Sequence, residues 1–237
     1  MFTSYRAQKG ANRLHIALLS SLCLIMFILS ACESTPAISA YTSTDSTPAS
    51  SVGDTSYIVV GPDPEIIVKS ASAAQLTFVA SDTQKNISTN GFSLPYTKQG
   101  NTVTIDFGET VVHPLEIKIP HAANLSVTLG SGNIVVNSLQ GRVAMTLANG
   151  TIHMKNFTPL GTDTITSKSG TIDVSFAQNA SFHLKAQTKF GAIVSRYSTI
   201  SQKRSGMQAN AVGTIGQASH TMVNLIGEYG SITIGPT

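Results

Sequence analysis

From Leu125 to the C-terminus one pattern recurs: two apolar positions spaced by two, a five-residue step to glycine, then apolar residues two and usually four positions later. Aligned on their glycines, the first copies read Leu125, Val127, Gly132, Ile134, Val136 and Val143, Met145, Gly150, Ile152, Met154. Two shorter copies follow, Ile165, Gly170, Ile172, Val174 and Leu184, Ala186, Gly191, Ile193, and the last is Val223, Leu225, Gly230, Ile232, Ile234. The glycines lie 18, 20, 21 and 39 residues apart, and the final interval is about two periods, as though one turn between Ser195 and His220 lacks its marker. A fixed period of about 20 residues marks stacked structural units.

Within each copy the apolar residues alternate, so every second side chain of a strand points to a common interior. The glycine falls where the chain must turn sharply between two strands, a position suited to positive φ or to close backbone approach. The pattern predicts an all-β protein, a single-stranded parallel β-helix with rungs of 18 to 21 residues. The alternative is an antiparallel β-sandwich, which also gives short alternating strands, but hairpin turns have no reason to recur at one phase. Residues 56–122 alternate without regular glycines, as in Ile66 and Val68, Leu76 and Phe78, Val103, Ile105 and Phe107, and Leu115, Ile117 and Ile119; they are expected to extend the solenoid or to cap it with antiparallel strands. Abundant Gly, Ser, Thr, Val and Ile, with 6% aromatic residues and no tryptophan, agree with many short strands.

The solenoid region is preceded by two segments of different composition. Residues 1–13 carry Arg6, Lys9 and Arg13, and residues 14–31 are uncharged, the basic and apolar regions of an export signal. Leu29-Ser30-Ala31-Cys32 resembles the lipobox of bacterial lipoprotein precursors, in which diacylglycerol joins the cysteine sulfur before cleavage. That resemblance implies removal of residues 1–31 by a cut between Ala31 and Cys32, acyl lipid such as palmitate on Cys32, and extracytoplasmic attachment to the cell membrane. An uncleaved anchor helix is the alternative, since 18 uncharged residues approach the lower limit of about 17 for a span. Residues 32–55, the lipidated cysteine followed by a Ser/Thr/Pro-rich stretch, are expected to act as a tether to the domain at 56–237.

Removing residues 1–31 changes the charge. The full chain has 15 basic and 12 acidic residues; subtracting Arg6, Lys9 and Arg13 leaves 12 of each. A neutral chain without a basic run lacks the electrostatic footprint of a nucleic-acid binder. The only other cysteine, Cys23, lies in the export segment, so no disulfide and no cofactor beyond the Cys32 lipid is expected.

Stacking places equivalent positions in columns about 4.8 Å apart. Thr128, Thr146, Thr166 and Gln187 share one phase and form a candidate binding face for an extended polysaccharide, although Thr also simply suits exposed strand positions. His153 and Asp173 share another, where imidazole and carboxylate can meet; no third ligand or nucleophile accompanies them, which favours an exposed cross-rung pair over a metal or catalytic site. Lys168 and Lys189 share a third, with Glu228 beyond. Asp106, Glu109 and Glu116 are dispersed and lack the pairing of glycosidase carboxylates. His113, His121, His183 and His220 share no phase or metal-ligand spacing. Five Asn-x-Ser/Thr sequons, at Asn86, Asn124, Asn149, Asn156 and Asn179, are read as accidental in a Ser/Thr-rich chain. No catalytic or metal site is expected.

The recurring Gly-x-Ile, as in Gly132-Asn133-Ile134, Gly150-Thr151-Ile152 and Gly170-Thr171-Ile172, together with Leu115-Glu116-Ile117-Lys118-Ile119-Pro120, is similar to the "putative adhesin" family of unknown function, related to the toastrack and head-GIN β-helical domains. The resemblance runs from about Tyr57 to the C-terminus, and residues 196–220 break its register, as a loop bulging from one face would. Together with the anchor, the tether, the outward Thr-rich face and the lack of a catalytic cluster, it points to a non-enzymatic surface module that binds envelope polysaccharide, another surface protein or a host or substratum surface. The alternative is envelope-stress sensing with a membrane partner, since toastrack-like domains accompany such systems.

Overall fold

The computed structural model describes residues 57–217 and 220–237. The expected export segment, the cleavage site at Ala31 and Cys32, and the Ser/Thr-rich stretch to residue 55 lie outside the described residues.

The described residues are all β, with no helix among them. In chain order the first strands are β1 (Tyr57–Val59), β2 (Glu65–Ser81), β3 (Asn86–Thr89), β4 (Tyr96–Gln99), β5 (Thr102–Asp106) and β6 (Val112–Pro120). There follow β7 (Asn124–Asn137), β8 (Gln140–Gly141), β9 (Val143–Pro159) and β10 (Thr162–Phe176). The last are β11 (Phe182–Phe190), β12 (Ile193–Ser195), β13 (Ile200–Ser205), β14 (Gln208–Ile215), β15 (Met222–Tyr229) and β16 (Ile232–Pro236).

β2, β7, β9 and β10 pair successively in parallel, with equivalent residues in register. Directly connected neighbours in a sandwich run antiparallel, so this ladder establishes the solenoid. Its interior is built of columns. Leu115, Leu76, Ile134, Ile152, Ile172, Ile232 and Ile193 stack through the pairing register, all of them buried. Phe157, Phe176 and Phe182 form an aromatic column at another corner, with ring centroids 5.9 and 4.3 Å apart and no exposed surface. Since each rung contributes one residue per column, none can bury its apolar face alone.

Stacking order departs from chain order at both ends. β15 and β16 insert between β10 on one side and β11 and β12 on the other. At the opposite end β5 and β6 lie outside β2, although β2 precedes them in the chain. The layers therefore run β5/β6, β2, β7, β9, β10, β15/β16, β11/β12. The expectation of an unmarked rung between Ser195 and His220 is corrected by this order, as is that of a loop bulging at 196–220. That stretch contains the antiparallel pair β13 and β14, and β14 lies antiparallel on β11 to end the stack. At the far end β3 closes antiparallel on β6, β1 on β3, and β4 on β5. Both roles considered for residues 56–122 are thus filled, by β2, β5 and β6 as rungs and by β1, β3 and β4 as caps.

A stacked parallel sheet exposes unpaired backbone at its two ends, an invitation to aggregation. Here the strands with an unpaired edge include β1 and β12, three residues each, β4, four residues, and β13, which exposes Lys203 and Arg204. Charge and brevity guard the ends.

Gly132, Gly150 and Gly170 lie inside the unbroken strands β7, β9 and β10 rather than between separate strands as the spacing suggests. The inward parity changes there: Leu125, Val127 and Leu129 are buried before Gly132, and Ile134 and Val136 after it. Backbone pairing continues through the bend, with Gly132 opposite both Ala74 and Gly150, and Gly150 opposite Gly170. Gly230 and Gly191 continue the column between β15 and β16 and between β11 and β12.

Candidate functional site

The lateral faces are organised as outward columns whose membership follows the strand register. One runs Lys69, Thr128, Thr146, Thr166, Ile226, Gln187, Asn210. Thr128, Thr146 and Thr166 are consecutive and outward, but Ile226 separates Thr166 from Gln187, because the last rung is inserted between theirs. The four-member face read from the repeat is corrected to three threonines.

His153 Nδ1 and Asp173 Oδ2 lie 3.0 Å apart on adjacent rungs, flanked in their column by Val135 and Thr233. Both side chains are partly exposed, and an ion pair of this kind contributes at most about 1 kcal/mol. His153→Ala is expected to lower unfolding stability by less than about 1 kcal/mol in a urea titration. The geometry holds a surface pair with no nucleophile beside it.

Glu228 sits between Lys168 and Lys189 rather than beyond them, and Lys189 Nζ approaches Glu228 Oε1 at 3.2 Å. Asp106 caps a turn, its Oδ1 accepting the Gly108 N–H at 2.8 Å, and Glu116 lies 4.0 Å from Lys118. His121 Nδ1 meets Asp82 Oδ1 at 2.8 Å beside a cleft also lined by Asp63, Gln84 and Lys85, and His183 Nδ1 bonds Thr214 Oγ1 at 2.8 Å. Among the described residues no three His, Cys, Asp or Glu side chains converge as metal ligands do.

Two features escaped the sequence reading. The first is Asp163, which occupies an inward column with Ile66, Leu125, Val143, Val223 and Leu184 and is fully buried. The Val143 N–H donates to its Oδ1 at 2.6 Å, while Oδ2 has no hydrogen-bond partner. Burial pushes this carboxyl from its ordinary 3.8 up to about 7, against the opposing pull of the Val143 N–H and the Arg142 guanidinium. A signal was available: seven residues before their glycines the five copies carry Leu125, Val143, Asp163, Leu184 and Val223, so one acid stands at an inward phase.

The second is an aromatic pair on the surface. Phe190 and Tyr229 face each other across adjacent rungs, ring centroids 4.9 Å apart and planes within 7° of parallel, with 44% and 50% of their surface exposed. Their column continues through Ser169, Asn149 and Ser131. Tyr229 and Phe190 each precede a glycine by one residue, a phase shared with small polar residues in the other copies, and this obscured them.

Comparison with known proteins adds the family. The model of the family described as Toastrack DUF4097 matches residues 114–235, slightly more than half of the chain. That match begins near the start of β6 rather than at Tyr57, although the preceding strands belong to the same stack. No curated protein matches the chain. A crystal structure from Clostridium sporogenes ATCC 15579, described as that of a putative cell adhesion protein, is similar with a TM-score of 0.55 and 12% identity, over 78% of this chain and 98% of that one. At that identity the likeness shows a shared fold.

Proposed function

The chain belongs to the Toastrack family, and from that premise we propose that it is a non-enzymatic binding module, anchored by lipid on Cys32 to the outer side of a cell membrane. Its partner on this reading is an envelope polysaccharide or another surface protein. The observation that carries the proposal is the closure of both solenoid ends by antiparallel strands, which leaves long lateral faces patterned by regular outward columns. A repeating face suits a repeating or extended partner. The name of the structurally similar cell adhesion protein agrees in kind with this reading.

Attachment rests on Cys32, because the chain after residue 31 is formally neutral and carries no cluster of four or more basic residues in sequence to hold an anionic bilayer. Each buried methylene contributes about 0.8 kcal/mol, so two or three acyl chains anchor stably where one does not. Cys32→Ser is expected to abolish metabolic labelling with palmitate and to move the protein from the detergent phase to the aqueous phase on partition. Unchanged labelling and partition would overturn the anchor. The binding half of the proposal is tested by sedimentation with isolated cell-wall polymer.

A further inference from the structure

We infer that the Tyr229 ring and the polar ledge beside it form a site for a hexopyranose unit of a polysaccharide chain. The inference rests on the binding-module reading and deepens it, naming the residues and the class of ligand. The rings of Phe190 and Tyr229 stack face to face at 4.9 Å, close to the spacing of rungs, so their planes lie across the solenoid axis. Phe190 therefore covers one face of Tyr229. The opposite face looks along the column toward Ser169, whose side chain ends one atom past Cβ. A flat slot about one rung deep is left over Ser169 and Asn149, both exposed.

That slot has two unlike walls. One is an aromatic face, rigidly backed, which attracts the axial C–H face of a pyranose through its quadrupole and by excluding water. The floor carries a hydroxyl and an amide, Ser169 and Asn149, and beside it Thr171 and Thr151 hold their hydroxyls 3.4 Å apart. These groups both donate and accept, as sugar hydroxyls do. Lys168 stands on the same rung and enters none of the ion pairs among the described residues, whereas Glu228 is engaged by Lys189. The polarity of the column argues for a sugar over a protein hot spot. Exposed Met207 extends the apolar surface on the Phe190 side, where its carbonyl accepts the Gly191 N–H, but beyond Tyr229 the next three positions are Ser169, Asn149 and Ser131. A sugar polymer presents this alternation of apolar ring face and hydroxyl edge, and its chain can follow the column.

The chain from residue 33 onward, isotopically labelled, would be titrated with chitohexaose, cellohexaose and hexagalacturonate and followed by NMR. At least one is expected to give saturable shifts centred on Tyr229, Phe190, Ser169 and Asn149. Tyr229→Ala is expected to weaken that binding at least tenfold, and Tyr229→Trp to preserve it. Ser169→Arg, an exposed change that fills the slot, is expected to block binding while leaving the thermal midpoint unchanged. No shift with any of the three sugars, or shifts indifferent to Tyr229→Ala and Ser169→Arg in folded variants, would overturn the site. If the wild-type chain and both variants sediment equally with cell-wall polymer, the site is wrong and the binding-module reading stands; if the wild type neither sediments nor binds whole cells, that reading fails as well.

Discussion

Gly150→Ala is expected to destabilise the protein by more than about 4 kcal/mol, a cost seen only when a substitution breaks a named structural feature. A Cβ built on Gly150 falls 1.8 Å from the carbonyl oxygen of Gly132, and the residue has φ +134°. The same collision recurs along the column: Gly132 onto the Ala74 carbonyl, Gly170 onto Gly150, Gly230 onto Gly170, and Gly191 onto Gly230. Relieving it requires two rungs to move apart, which breaks the parallel ladder on both sides. Gly100→Ala separates this effect from backbone conformation alone. Gly100 also has positive φ, at +59°, but a Cβ added there would meet nothing within 4 Å. It is expected to cost only about 1 to 2 kcal/mol, the usual penalty for a left-handed residue. At roughly 2 to 4 °C per kcal/mol for a domain of this size, Gly150→Ala would lower the thermal midpoint by roughly 8 to 16 °C or prevent folding. Equal effects at the two glycines would contradict the close-contact account.

Asp163→Asn is expected to stabilise the protein at pH 8 and to leave it nearly unchanged at pH 4. The folded carboxyl holds its proton up to about pH 7 against an ordinary 3.8, so the folded state binds that proton more tightly than the unfolded chain. The resulting stability is fully present below the unfolded value and is lost as pH rises through the folded one. Across that interval of about three pKa units the loss is on the order of 4 kcal/mol. At pH 4 both side chains are neutral, the protonated acid offering one O–H donor and the amide two N–H donors in the same space, so the burial of a charge no longer separates the two proteins. At pH 8 only the wild type buries a charge beside Val143 and Val223, which the Val143 N–H and the Arg142 guanidinium offset only in part. Guanidinium unfolding from pH 4 to 8 is the measurement, read as the difference between the two proteins so that ordinary carboxylates cancel. Parallel profiles would show that Asp163 is solvated in the folded state.

The stacked architecture was legible because alternation and the glycine phase are local properties that a sequence displays directly. Ile134, Ile152 and Ile172 align in the sequence as they do in space. The order of layers was not legible. Spacing along the chain counts residues between copies, and the 39 residues from Gly191 to Gly230 accommodate either one more rung or a hairpin followed by return to an interior layer. Strand pairing decides between them, and it is non-local: β15 completes a parallel ladder between β10 and β11 while β14 covers the other edge of β11. The candidate face suffered from the same cause. Thr128, Thr146 and Thr166 are neighbours because their rungs follow one another in the chain, whereas Gln187 is displaced by the insertion of Ile226. The aromatic pair arises from that insertion too, since Phe190 and Tyr229 are 39 residues apart and meet only because their rungs adjoin.

Binding by the lateral face is tested most directly by sedimenting the chain from residue 33 onward with purified cell-wall sacculi. Without residues 1–32 the protein carries no lipid in that assay, so pelleting reports the polypeptide rather than the acyl chains, and the surface variants assign it to the solenoid. The expected result is saturable pelleting that Tyr229→Ala or Ser169→Arg reduces at unchanged thermal stability. Protein that stays in the supernatant at every polymer concentration, and that also fails to bind whole cells, would contradict a surface-binding role for the solenoid.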